Sequence, residues 1–226
     1  MAITAGLFGD RGRKRAEKLG IDPNRLPPGQ SPTEKFPVLT VGPTVQLPRE
    51  QWSLSVYGAV DEPYAVRFDE LTAMEQTTVE TDIHCVTRWS KFDTTGVGVK
   101  ASDLLERARV HADATHVLVH AHGGYSTNLP LNDLLLANVI VTHTFDGAPL
   151  EADHGGPVRL LVPHLYLWKS AKWVQSLEVR TSDELGFWER NGYHHRGDPW
   201  AEERRSVPEY VARQMRRDAR ERGIDG

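Results

Sequence analysis

Apolar and polar residues alternate along several short segments of the chain, a two-residue period typical of half-buried strands. The clearest case is 52–58, which ends on a glycine. β-rich or continuously apolar runs predict further strands at 77–83, 116–120, 139–145, 158–162 and 172–179. Helices are predicted at 11–19, 67–71 and 101–108. Because these elements interleave without a regular strand–helix–strand rhythm, the pattern predicts an α+β fold.

Turn-forming residues divide the chain into three predicted parts. Residues 1–36 contain Asp-Pro and Leu-Pro-Pro-Gly sequences that interrupt regular structure, and they predict an N-terminal extension. Residues 37–200 carry the strands and form the main domain. Residues 201–226 are a charged tail, predicted to be helical over 208–223. Its arginines favour a solvated helix face over a partner surface.

Composition narrows the class of protein. The 226 residues are 39% hydrophobic, which is enough for a core. Lys+Arg 27 against Asp+Glu 31 gives a net charge of -4, which does not favour nucleic acid as a partner. No apolar run approaches the roughly 20 residues of a membrane helix, and the basic cluster at 11–15 follows the apolar residues, the reverse of a secretory signal. We therefore expect a cytoplasmic protein without a membrane span.

Cys85 is the only cysteine, so the chain cannot form an internal disulfide or a cysteine-rich metal site. Three interpretations remain: a packed thiol, a nucleophile, or a single thiolate ligand to a metal. His84 is a poor local base, because neighbours on a strand point to opposite faces. Arg88 lies close enough in sequence to lower the thiol pKa. The residues alone leave these interpretations open.

Other common site motifs are missing from the sequence. The ten histidines show no HExxH spacing and therefore do not favour zinc. There is no P-loop. The glycine pairs at 123–124 and 155–156 are typical of turns rather than of a dinucleotide-binding fingerprint.

Arg159 is a cation within an apolar predicted strand, where charged residues seldom lie unpaired. Lys169, Ser170 and Lys172 follow in a loop that could surround a phosphate. Either an anionic ligand or an internal Asp or Glu would pair with Arg159, and the sequence does not choose between them.

Together, several ordered motifs resemble the sulfite oxidase-like family of molybdopterin-binding oxidoreductases, in particular its cytoplasmic bacterial branch. The resemblance covers about 36–200. Its main segments are Asp-Ile-His-Cys-Val-Thr-Arg-Trp-Ser (82–90), Gly-Tyr-Ser-Thr-Asn-Leu-Pro-Leu (124–131), Gly-Gly-Pro-Val-Arg-Leu (155–160), Leu-Tyr-Leu-Trp-Lys-Ser-Ala-Lys (165–172), Gly-Phe-Trp-Glu (186–189) and Gly-Asp-Pro-Trp (197–200).

The resemblance implies a mixed α+β domain around one molybdenum cofactor. Cys85 matches the cysteine that binds molybdenum together with the pterin dithiolene. The residues implied to contact molybdopterin and its phosphate are Arg159, Lys169, Ser170, Lys172 and His154. Residues implied to make further cofactor or pocket-wall contacts are His84, Trp89 and His120.

The implied reaction is a two-electron oxygen-atom transfer to or from a small oxyanion or an S- or N-oxide. Arg88 is the predicted guide for an anionic substrate, and Tyr125 is a predicted hydrogen-bond donor. Two alternatives are a protein that holds molybdopterin without turnover and a cofactor-free interaction domain. Substrate-dependent reduction or reoxidation of molybdenum distinguishes them from an enzyme.

The chain also departs from the animal and plant sulfite oxidases that it resembles. Their arginine-rich stretch after the cysteine is replaced by Arg88 followed by Trp89 and Ser90, and 39–42 replaces their Arg-Asn-His element. Both departures argue against sulfite as the substrate. Without a haem-binding segment, we expect a separate electron-transfer protein as partner. Without the family's dimerisation domain, we do not expect homodimers of that type.

Overall fold

The computed structural model describes residues 3–206 and residue 217. Its helices are α1 (Ile3–Lys18), α2 (Phe68–Ala73), α3 (Ala101–Ala108), α4 (Leu131–Leu134) and α5 (Phe187–Arg190). Its strands are β1 (Ser31–Pro32), β2 (Ser53–Gly58), β3 (Tyr64–Arg67), β4 (Thr77–His84), β5 (Trp89–Lys100), β6 (His116–Ala121), β7 (Ser126–Pro130), β8 (Ile140–Phe145), β9 (Ala148–Pro149), β10 (Arg159–Leu161) and β11 (Val174–Arg180).

The strands form two sheets. One follows the order β1-β5-β8-β10, with β4 paired to β5 and β9 to β8, and the other follows β3-β2-β11-β6-β7. Most pairs are antiparallel; β1 with β5 and β2 with β11 are parallel. Two mainly antiparallel sheets with helices between their strands make an α+β fold, as predicted.

Helix α3 shows how the core forms. Its apolar residues Ala101, Leu104, Leu105 and Ala108 recur at helical spacing, and all four are fully buried. They join the main core, which includes apolar residues of both sheets. The helix ends at Ala108, and the C-cap residue Arg109 adopts the left-handed conformation. The sequence prediction of 101–108 as a helix is therefore confirmed.

Strand β5 was not predicted, because Gly96 and Gly98 interrupt its apolar pattern. The backbone approach at Gly98 explains the glycine: a Cβ there would overlap the carbonyl oxygen of Val141 on β8. The register of β5 and β8 also shifts between Val97 and Gly98. Gly98 thus lies where two backbones are unusually close, whereas a Cβ at Gly96 would meet the side chains of Leu161 and Ile140.

The N-terminal residues pack on the domain. The helix predicted at 11–19 is the second half of α1, which buries Gly12 and Ala16. Ala16 joins Leu26 and Phe92 in a small apolar cluster, and β1 extends the first sheet. The domain boundary at 36 stays a prediction. None of the helices among the described residues is long and apolar enough to cross a membrane.

The predicted C-terminal tail is described only over 201–206 and at 217. Within that part, Arg204 packs its side chain against the domain and is 13% exposed. The predicted helix at 208–223 lies outside the described residues except for 217.

Candidate active site

Cys85 lies in the turn that joins β4 to β5. Its backbone N–H donates to the carbonyl of Trp89 at 2.9 Å, and the N–H of Arg88 donates to the Cys85 carbonyl at 3.0 Å. The side chain is buried, and Thr87 Oγ1 donates to its Sγ at 3.1 Å. Burial raises the pKa of the thiol, while the Thr87 hydrogen bond and the charge of Arg204 act in the opposite direction.

Arg159 lies on β10 and is 3% exposed. Its guanidinium donates to the carbonyls of Ser170 at 2.8 Å, His154 at 3.0 Å and Leu160 at 3.4 Å. Within the described part of the chain, no carboxylate forms an ion pair with it. Burial lowers the pKa of Arg159 to about 10, so the group stays cationic at neutral pH. The alternative of an internal Asp or Glu partner is thus not supported.

An aromatic cluster covers this cation. The ring of Phe36 stacks on His154, with centroids 4.0 Å apart, and lies 5.9 Å from Arg159 Cζ. Trp89 contacts Phe36 edge-on. His154 Nδ1 and Trp89 Nε1 are both buried without a hydrogen-bond partner. Buried polar atoms are normally paired, so each of these two nitrogens has hydrogen-bonding capacity left for an external partner.

Lys172 lies near enough to Arg159 and to Cys85 for both groups to affect its pKa. Its Nζ donates to the Asp153 carbonyl at 2.6 Å. Burial and the nearby charge of Arg159 lower the pKa of Lys172 to about 8, and Cys85 is close enough to act on it in the opposite sense. Gly155 has φ +101, and a Cβ there would come within 2.9 Å of Lys172 Cα. The glycine therefore lets the turn lie directly against these cations.

A second pair of residues lies on the other flank of Cys85. Arg204 donates to the carbonyls of Val86 at 2.7 Å and Pro28 at 3.2 Å, and its Cζ lies 4.9 Å from the Tyr166 ring centroid. The Tyr166 hydroxyl is buried without a hydrogen-bond partner. Neither residue was predicted to belong to the site, since Arg204 falls in the predicted tail and Tyr166 in an apolar motif.

Lys169 is placed differently from its neighbours in the sequence motif. Its side chain is fully buried, and Nζ lies 2.6 Å from Glu189 Oε1. The same ammonium contacts the Asn128 carbonyl and side-chain oxygen and the His195 carbonyl. Because an ammonium has three N–H donors, these oxygens leave none for a phosphate.

Ser170 forms one hydrogen bond through its side chain and one through its backbone carbonyl. Its Oγ accepts a hydrogen bond from the Val162 N–H at 2.9 Å, and its carbonyl accepts one from Arg159. The carbonyl of Ser170 therefore helps to hold the Arg159 guanidinium in place.

Three predicted site residues have partners of their own. Tyr125 donates its hydroxyl to the Trp168 carbonyl at 2.5 Å, and burial raises its pKa well above the usual value. His120, in the second sheet, has Nε2 at 2.8 Å from Glu178 Oε2. The Nδ1 atom of His84 is 2.8 Å from Ser90 Oγ, and burial lowers the pKa of His84 to about 4. Their predicted roles in cofactor or substrate binding stay predictions.

The sequence matches a known family over most of its length. A model of the family described as "Oxidoreductase molybdopterin binding domain" matches residues 41–188. The uncharacterized oxidoreductase YuiH of Bacillus subtilis (strain 168) is 44% identical over 181 residues, which cover 80% of this chain and 91% of YuiH.

Two further similarities are more distant. The putative protein-methionine-sulfoxide reductase subunit YedZ1 of Azospira oryzae is 31% identical over 141 residues, 62% of this chain and 53% of YedZ1. The sulfane dehydrogenase SoxCD of Paracoccus pantotrophus has the same fold, with a TM-score of 0.59 and 20% identity over 70% of this chain and 46% of that one. The chain thus spans about half the length of each of these two proteins.

The fold and the matched domain define a molybdopterin-dependent oxidoreductase of the sulfite oxidase-like class. The chain belongs to the oxidoreductase molybdopterin-binding domain family. Its cofactor is therefore molybdenum bound to molybdopterin, and its class of reaction is oxygen-atom transfer. The residues fit such a cofactor: Arg159 is a buried cation without a carboxylate among the described residues, and in the aromatic cluster around Phe36 the buried nitrogens of His154 and Trp89 lack partners.

Proposed function

We propose that Cys85 is the protein ligand of molybdenum and that Arg159, Lys172, His154 and Trp89 hold the molybdopterin. The buried, carboxylate-free guanidinium of Arg159 is the observation that carries this proposal. A phosphate at this position would give the cation the charge-assisted partner that it lacks. Lys172 lies against the Gly155 turn next to Arg159, and its nearness to Cys85 supports a site that extends from the phosphate towards the metal.

Each residue then has a physical task. When bound, the molybdenum cofactor supplies the two-electron chemistry of oxygen-atom transfer. Cys85 offers a soft thiolate from a turn that is fixed by backbone hydrogen bonds. Arg159 and Lys172 supply positive charge where burial strengthens electrostatic attraction. Phe36 lies over the Arg159 guanidinium, and Trp89 packs edge-on against Phe36.

An Arg159→Met variant tests the cofactor site. We expect it to lower the fraction of molecules that retain pterin and molybdenum by about tenfold, because the phosphate loses a charge-assisted partner. Methionine keeps the buried stem, so the cofactor-free protein should still unfold cooperatively. The measurement is pterin fluorescence and molybdenum content per chain.

An Arg159→Lys variant, which keeps the charge but loses the planar fork, is the matched control and should retain more cofactor than Arg159→Met. Wild-type occupancy in a well-folded Arg159→Met protein would show that Arg159 is only structural.

Arg88 is our proposed guide for the substrate. It adopts φ +77, in the left-handed region that favours glycine, yet it carries a long charged side chain. That side chain is exposed beside the Cys85 turn, and Arg204 adds a second positive charge nearby. A strained position occupied by a charged residue supports a role for the side chain in attracting an anion.

Replacing Arg88 with glycine removes the side chain while suiting the backbone conformation. We expect Arg88→Gly to raise KM for an anionic substrate about fivefold, to change kcat little, and to leave thermal stability near that of the wild type. Steady-state kinetics at low and high salt would measure this, and the difference should shrink with salt.

Arg109→Gly is the matched control, since Arg109 also has a left-handed backbone and an exposed side chain but lies at the end of α3. Equal KM values in the two variants would remove Arg88 from substrate guidance.

We propose a small oxyanion or an S- or N-oxide as the substrate. The name of the relative YedZ1 refers to a sulfoxide, which falls within this range. We further propose a separate electron-transfer protein as redox partner and a cytoplasmic location, which a single free cysteine suits. Reduction or reoxidation of molybdenum on adding sulfite, sulfoxides or N-oxides tests the substrate class. Molybdenum that responds to none of them would favour a protein without turnover.

A further inference from the structure

We propose that Gln30, in the N-terminal segment, is a positioning residue for the molybdenum ligand; this proposal rests on the proposed role of Cys85. Gln30 is 55 residues from Cys85 in sequence, yet its side-chain Nε2 donates to the Cys85 carbonyl at 3.0 Å. The same nitrogen lies 3.4 Å from the Trp89 carbonyl. One amide group therefore bridges the two ends of the turn that carries the thiol.

The backbone on either side of Gln30 reinforces this bridge. Ser31 N–H donates to the Arg88 carbonyl and Thr33 N–H to the Ser90 carbonyl, each at 2.9 Å. These bonds make β1 a short parallel strand against the start of β5. The turn is thus held by a segment that lies more than 50 residues before it in the sequence. Gln30 is the residue of this segment whose side chain contacts the turn.

The chemistry of the contact specifies an amide donor. Gln30 is 1% exposed, and its side chain faces two carbonyl oxygens, which accept hydrogen bonds but cannot donate them. A glutamate of the same shape would place a carboxylate against both oxygens. A methionine would fill the space and leave the Cys85 carbonyl with one donor fewer.

Helix α1 holds Gln30 in place from the other side. A Cβ on Gly12 would overlap the Gln30 carbonyl oxygen, so the helix backbone lies directly against this loop. The neighbouring Ala16 is also fully buried on that face, with Leu26 beside it. The close approach means that the position of α1 is transmitted to Gln30 and from there to the turn.

Two measurements test the proposal. In the cofactor-free protein, Gln30→Met and Gln30→Glu should speed hydrogen exchange at the amides of Cys85 and Arg88 by about tenfold, because the turn opens more often. In the molybdenum-loaded protein, both variants should change the electron paramagnetic resonance signal of the partly reduced metal and lower kcat by about tenfold with KM unchanged.

Gln76→Met is the matched control. Gln76 also donates its side-chain amide to two backbone carbonyls, those of Leu71 and Met74, but it lies between α2 and β4. We expect this variant to leave turn exchange, metal signal and kcat at wild-type values. Should both Gln30 variants fail to fold, Gly12→Ala displaces the loop while keeping the donor, and the same local changes are expected.

The outcomes separate this proposal from the one it rests on. A well-folded wild-type protein without molybdenum would overturn the role of Cys85, and the role of Gln30 with it. If the wild type contains molybdenum and Gln30→Met keeps the wild-type metal signal and kcat, only the positioning role is overturned. This holds even if hydrogen exchange at the turn is faster in the variant.

Discussion

A Cys85→Ser variant is expected to lose oxygen-atom transfer activity by more than about 100-fold, since even changes around a metal ligand cost 10–100-fold. Serine replaces a soft thiolate with a harder and poorer ligand for molybdenum. The replacement is nearly isosteric, and its hydroxyl can accept the hydrogen bond that Thr87 now gives to the thiol. The measurement is turnover of a sulfoxide or oxyanion, with molybdenum content determined on the same sample.

The control for Cys85→Ser is its thermal unfolding without cofactor, which should match that of the wild type within a few degrees. Because Arg159 is retained, pterin should still be detectable in this variant. Activity at the wild-type level would remove Cys85 from the mechanism.

The second large effect concerns stability. Lys169→Met is expected to destabilise the cofactor-free protein by about 3–5 kcal/mol, because it leaves the carboxylate of Glu189 buried without its cation. Trp168 and Thr127 also donate to that carboxylate and would remain. Urea unfolding of the cofactor-free protein measures the loss directly.

The double variant Lys169→Met/Glu189→Gln gives the sharper comparison. Removing both charges should cost less than the sum of the single changes, since no unpaired charge remains. If Lys169→Met instead kept wild-type stability and lost only pterin, Lys169 would bind the cofactor, as the sequence resemblance implies.

The sequence predicts elements well where the pattern is local. Helix α3 has four apolar residues at helical spacing, and its predicted bounds match those observed. Strand β2 alternates clearly and was also predicted to within one residue. Strand β5 was missed, because Gly96 and Gly98 make room for residues of the strands β8 and β10, which the sequence of their own segment does not reveal.

The site residues also differ in how far the local sequence predicts them. Cys85 and Arg159 stand out in sequence because one is the only thiol and the other a cation in an apolar run. The partners of Lys169 could not be predicted, since Glu189 lies 20 residues further on and meets it only in the folded chain. Gln30 and Arg204 carried no local signal, because long-range packing alone brings them to the Cys85 turn.

The most direct test of the account is the molybdenum and pterin content of the wild-type protein, purified from a host that makes the cofactor. We predict near-stoichiometric amounts of both, with pterin reduced in Arg159→Met and molybdenum reduced in Cys85→Ser. A well-folded wild-type protein that contained neither, and took up neither on reconstitution, would contradict a cofactor site between Cys85 and Arg159.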